Sequence, residues 1–183
     1  MEIVPDTKDW TWVLHRACPE CGLDTRQVQR EDAPRMLRDI AAAWVAVLEQ
    51  PDNVHKRPSP GVWSPLEYAC HVRDVFRLYD RRLQRMLLED DPLFPNWDQD
   101  AAAIAERYGE QDPVTVSGEL REAADLLAGH FEGVTGEAWQ RTGSRSDGAR
   151  FTIETFARYF IHDPIHHLYD VTGHRYRTKA LPS

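Results

Sequence analysis

Apolar positions along this chain recur at helical spacing, and no alternating run of useful length marks an extended strand. Met36, Leu37, Ile40, Trp44, Val47 and Leu48 trace one face of a helix over about 33–50. Asp32 suits its N-cap, Pro34 its first turn and Pro51 its end. A second helix starts at Trp63-Ser64-Pro65-Leu66-Glu67-Tyr68 and runs to about Glu89. Ser64 and Glu67 form a capping-box pattern, Pro65 takes the first helical position, and Trp63 with Tyr68 can close a hydrophobic staple. A third helix spans about 113–134 behind Asp112, and a fourth runs from near Thr152 to Gly173, a glycine stop. A short helix fits around 101–108. The expected fold class is all-α: four long helices in a bundle, within a single domain over 1–183 whose first thirty residues form an N-terminal segment.

The fourth helix is apolar around most of its circumference. With Tyr159 at zero and ~100° per residue, Thr155, His162, His166 and Asp170 fall at about −40°, −60°, −20° and +20°. They form a narrow polar stripe on a helix that must be buried, so the stripe faces a cleft or the bundle interior. His162 and His166 are one turn apart and can share a metal ion. His71, in the second helix near the edge of the arc Val72, Phe76, Tyr79, Leu83 and Met86, is the candidate third ligand. The expected metal site is therefore His71, His162 and His166. Asp170 is placed to orient His166, while His167 lies about 100° away and is assigned to packing or to a supporting role. Pro164 falls between the two ligands, where a kink could aim them at a common point. Two stacked imidazoles beside a tyrosine and an aspartate could instead satisfy each other without an ion.

Three neutral imidazoles favour zinc, nickel, copper or iron over calcium or magnesium, with zinc the default because no redox chemistry is signalled. Such a set leaves a coordination position open, as in reactive rather than structural sites. A bound water or thiol there would lose its proton near neutral pH.

The stretch Trp63 to Asp74, followed some ninety residues on by His162-Asp163-Pro164-Ile165-His166-His167-Leu168, resembles the DinB/YfiT-like family. The resemblance implies an up-down four-helix bundle carrying a metal, often zinc or nickel, on three histidines, which carry over as His71, His162 and His166. That family includes mycothiol-dependent maleylpyruvate isomerase and other transferases of low-molecular-weight thiols. It implies an enzyme that activates a thiol cosubstrate such as mycothiol, or water, against a small electrophile. A metal-dependent hydrolase and a non-enzymatic metal- or ligand-binding stress-response bundle are the alternatives. Tyr159 and Asp170 are candidates for orienting or proton-handling roles, and Trp97, Asp98, Asp100, Arg145 and Asp147 for pocket lining.

The formal net charge of −8, with arginines dispersed among acids, argues against broad nucleic-acid binding. No run approaches the ~18 apolar residues of a membrane span, so no membrane partner is expected. Met1–Lys8 is acidic and polar and does not read as a signal peptide. Three cysteines, Cys18, Cys21 and Cys70, suit a reducing cytoplasm rather than a disulfide framework. Cys18-Pro19-Glu20-Cys21-Gly22 is half of a zinc-knuckle pattern. It reads as an accessory zinc site, a redox dithiol or two structural thiols. His15 lies nearby, and Cys70, His55 or His174 could complete a ligand set. A homodimer is compatible with exposed bundle faces.

Overall fold

The computed structural model describes residues 9–50 and 53–177. Its four long helices are α1 (Ala33–Leu48), α2 (Pro65–Leu88), α4 (Pro113–Glu132) and α5 (Ile153–Thr172), with a short α3 (Gln99–Ala105) between α2 and α4. They form the expected helical bundle. α4 packs on both α1 and α2, and α5 also contacts both, so α1 and α2 lie on either side of α5. The expectations for Met1–Lys8, and for Pro51 as the end of α1, fall outside the described residues.

The chemistry of each helix start explains the boundaries. Ser64 Oγ accepts from the Glu67 amide at 3.2 Å, and Glu67 Oε2 accepts from the Ser64 amide at 2.8 Å. The Trp63 and Tyr68 rings lie 5.4 Å apart, closing the staple. Arg57 Nε donates to the same Glu67 carboxylate at 2.8 Å, so the cap also ties down the preceding loop. Asp112 caps α4 through the Thr115 amide. Thr152 caps α5 reciprocally with Thr155, and Gly173 stops it at φ +70°, where glycine has no Cβ to clash. Asp32 differs from expectation. It sits at the start of α1 with helical backbone angles and makes no cap bond; its carboxylate pairs with Arg35 at 3.0 Å instead.

The centre of the bundle is aromatic. Phe160 of α5 stacks at 6.0 Å on Phe131 of α4 and lies 6.4 Å from Phe76 of α2 and 4.8 Å from Tyr79. Trp44 of α1 is fully buried, and its indole nitrogen donates to the Pro164 carbonyl at 3.1 Å, fastening α1 to the middle of α5. Pro164 lies within the uninterrupted helix.

A small three-stranded sheet, β1 (Leu93–Phe94), β2 (Thr142–Arg145) and β3 (Arg150–Thr152), was not expected. β1 pairs parallel with β2, and β2 antiparallel with β3. Strands of two to four residues are too short to show a period of two. The sheet brings the loop after α2 and the loop before α5 together at one end of the bundle. A Cβ on Gly143 would lie 2.8 Å from the Phe94 ring, so glycine lets the strand seat on that side chain.

The contrast between the two caps is measurable. Ser64→Ala should cost about 1 kcal/mol in chemical denaturation. Asp32→Ala, which removes only an exposed ion pair, should stay within ~0.5 kcal/mol.

Candidate metal centre

Successive residues on α5 point about 100° apart, and this separates its polar groups into two sets. Asp163 and His167 turn toward α2, where they meet His71. His162 and His166 turn toward the N-terminal segment, where they meet Cys18 and Cys21. In each set, one donor atom per residue can be chosen such that all lie within 4.8 Å of one another. The structure thus divides the ligand set expected from sequence: His162 and His166 stay together, their rings 5.0 Å apart, while His71 pairs with Asp163 and His167. The reason is the register. The wheel placed His162 and His166 on one stripe, but the edge of α5 that contacts the His71 end of α2 is the adjacent one. His167 accordingly faces His71, with ring centroids 5.1 Å apart, instead of only supporting His166.

In the first cluster the Asp163 carboxylate lies between two imidazoles. Its Oδ1 is 3.3 Å from His71 Nε2, and its Oδ2 is 3.3 Å from His167 Nε2. His167 Nδ1 is 2.9 Å from Asp170 Oδ2, so Asp170 orients His167 rather than serving His166 alone. Burial works against ionising Asp163, but His71 and His167 outweigh it and hold the carboxyl well below its usual range. His167 moves the other way: burial opposes the charged ring, yet Asp163 and Asp170 raise its pKa to about 9. Within this cluster the buried His71 Nδ1 has no hydrogen-bond partner among the described residues, and Asp163 Oδ1 has only the ion-pair contact with His71. His71 is almost fully buried, stacked on Trp97 at 5.5 Å and 5.3 Å from Trp63, while Tyr68 lies 4.8 Å from His167.

These groups open onto a cleft of about 1490 Å³. Trp97, Asp98, Asp100, Arg145 and Asp147, the residues expected to line a pocket, all line it, as does Tyr159. Tyr159 is engaged structurally: its hydroxyl accepts from Arg145 Nη1 at 3.0 Å. Arg82, also in the cleft wall, is buried, and among the described residues it forms no ion pair. Its guanidinium donates to the Pro95 carbonyl at 2.8 Å and lies over the Tyr79 and Phe94 rings.

A family model described as the DinB superfamily matches residues 31–171. The chain belongs to the DinB superfamily. Among solved structures, the chain is similar to YfiT from Bacillus subtilis, described as a probable metal-dependent hydrolase with an unusual four-helix bundle topology. The two share 15% identity with a TM-score of 0.73, covering 91% of this chain and 95% of that one. A comparison with curated proteins finds no match. This DinB-superfamily chain therefore carries the bundle expected of it, with the segment containing Cys18 and Cys21 lying before the matched residues.

Sequence reasoning passed over Asp163. Its signal was the spacing Asp163-x3-His167, the same one-turn interval as His162-x3-His166, but with a carboxylate in place of one imidazole. Cys70, considered as a partner for the cysteine pair, lies elsewhere, with its sulfur 3.5 Å from Gln111 Oε1 and 3.8 Å from the Tyr108 carbonyl. Burial pushes its thiol up to about 12, roughly a thousandfold less thiolate than an ordinary cysteine holds at mildly alkaline pH. Iodoacetamide treatment followed by peptide mapping should leave Cys70 unmodified in the native protein and alkylate it after denaturation.

Proposed function

We propose that this protein is a metal-dependent enzyme whose reactive ion is held by His71, Asp163 and His167. The observation that carries this reading is the convergence of those three side chains at the cleft, with one donor atom from each lying within 4.8 Å of the others. Two imidazoles and one carboxylate suit zinc, nickel or iron and leave positions open for an exogenous ligand. A divalent ion in such a set lowers the pKa of a bound water or thiol and polarises an electrophile.

The protein's own residues supply the rest. Asp170 fixes the tautomer of His167 by accepting from Nδ1, which turns Nε2 toward the cluster. Trp97 and Trp63 exclude water around His71 and hold its ring plane. Arg82, which forms no ion pair among the described residues, places a positive charge in the cleft wall, whereas Arg145 there is paired with Asp147 at 2.7 Å. The substrate class that Arg82 favours is a small electrophile bearing a carboxylate or another anionic group.

The cleft exceeds the ~300–1,000 Å³ typical of a single small-molecule site. That size favours two bound molecules, in keeping with transfer of a low-molecular-weight thiol such as mycothiol to the electrophile. Hydrolysis, with water in place of the thiol, is the second reading, and the description of YfiT favours it. Both use the same ligands and differ in the nucleophile. A soluble, cytoplasmic setting belongs to the same reading; no described helix is long and apolar enough to cross a membrane.

Metal-loaded protein should be assayed against electrophiles with and without mycothiol, bacillithiol or glutathione, alongside an ester and amide panel. Thiol-dependent loss of the electrophile supports transfer, and turnover without thiol supports hydrolysis. His71→Ala, Asp163→Asn and His167→Ala should each abolish activity, and Asp170→Asn should cost ~10–100-fold. A reactive ion on His71, His162 and His166 predicts instead that Asp163→Asn is harmless, so that outcome would sink the assignment. Arg82→Gln should raise KM for an anionic substrate by ~10-fold or more while changing kcat far less.

A further inference from the structure

We infer that Cys18, Cys21, His162 and His166 form a second metal site, a closed structural zinc centre that staples the N-terminal segment to α5. It is separate from the cluster on His71 and does not depend on the reaction assigned to that cluster.

All four side chains are buried, and their donor atoms gather within 4.8 Å of one another. Cys18 Sγ is 3.6 Å from His166 Nδ1. His162 is 3% exposed, and its Nε2 is buried without any hydrogen-bond partner, in surroundings that offer it two sulfurs and a second imidazole. Neither cysteine is in a disulfide. Two soft sulfurs and two imidazoles make the Cys2His2 set that zinc takes tetrahedrally, with no position left for substrate.

The backbone is shaped for it. Within Cys18-Pro19-Glu20-Cys21-Gly22 the Gly22 amide donates to the Cys18 carbonyl at 3.0 Å, and the Cys18 amide donates to the Leu23 carbonyl at 2.8 Å. Gly22 holds φ +82°, a left-handed conformation in which a side chain would be strained. This turn swings both thiols to one side. On the far side of His166, Nε2 lies 3.2 Å from Glu20 Oε2 and 3.7 Å from Asp170 Oδ1. Those carboxylates can accept the remaining ring proton and leave Nδ1 free as the ligand. The same segment carries Trp10, whose ring packs 5.0 Å from His166 and 5.4 Å from His162 and lines the cleft. Zinc here would hold that wall of the cleft in place.

The full chain, purified without a histidine tag, is assayed for zinc and then titrated with an organomercurial while a metallochromic dye reports release. One zinc per chain should be released in step with modification of two thiols. Cobalt exchanged into the protein should show thiolate-to-metal charge transfer. That absorption should vanish in Cys18→Ser and persist in Asp163→Asn. Zinc that is absent, or a zinc content of which none is released when both thiols are blocked, overturns the proposal, as does a cobalt form without charge transfer. A Cys18–Cys21 disulfide in protein prepared under reducing conditions overturns it too. If Cys18→Ser does not fold, the mercurial titration of the unmodified chain still decides. Asp163→Asn disables only the cluster on His71, so loss of activity with the charge-transfer signal intact separates the two sites.

Discussion

The organisation of this molecule rests on the rotation of about 100° between neighbouring residues of one buried helix. On α5, two one-turn pairs overlap with an offset of a single position, His162 with His166 and Asp163 with His167. No straight helix can aim both pairs at one point. The pairs therefore need different partners, and the fold supplies them from opposite directions: α2 brings His71 to one, and the N-terminal turn brings Cys18 and Cys21 to the other. This division holds only while α5 is fixed about its own axis. Phe156, Phe160, Ile161 and Ile165 bury its apolar arc, and Trp44 clamps the Pro164 carbonyl between the two pairs.

One residue of offset also separates two electrostatic environments. Burial first, then the neighbouring His166, depresses His162 to about 4, so it stays a neutral donor throughout the physiological range. His167 is flanked by Asp163 and Asp170 and shifts upward instead. The charge balance of the two sets follows the same line. A divalent ion on two thiolates and two imidazoles would be neutral, which suits permanent burial. The same ion on one carboxylate and two imidazoles would retain a positive charge. It would remain electrophilic toward anionic ligands in a cleft whose wall also carries Arg82.

Much of the fold was legible because its punctuation is local. The Ser64/Glu67 box, the Asp112 cap, the Thr152 start and the Gly173 stop all act within one turn, and each appears as residue chemistry in the sequence. Asp32 misled because an N-cap needs extended backbone angles that its own turn does not provide. The site was half legible. Periodicity identifies a buried polar stripe on α5 but not which edge of it a second helix will meet. That depends on helix packing, which no spacing encodes. A ligand set made only of imidazoles leaves out Asp163, and completing the cysteine pair from His15, Cys70, His55 or His174 passes over His162 and His166, which lie beside it.

The two clusters share a wall, and this links structure to specificity. The superfamily match covers the bundle from residue 31 onward, including His71, Asp163 and His167. Cys18, Cys21, Trp10 and Glu20 precede it, yet Trp10 and Glu20 border the cleft beside His162 and His166. In this reading the bundle contributes the reactive ion and its orientation, while the attached segment contributes surface that a substrate would touch. A loop in that position would cost conformational entropy to order at each binding event. An ion on Cys18, Cys21, His162 and His166 would fasten it to the same helix that bears Asp163 and His167 and meet that cost during folding, so the cleft wall and the reactive site would keep one fixed geometry.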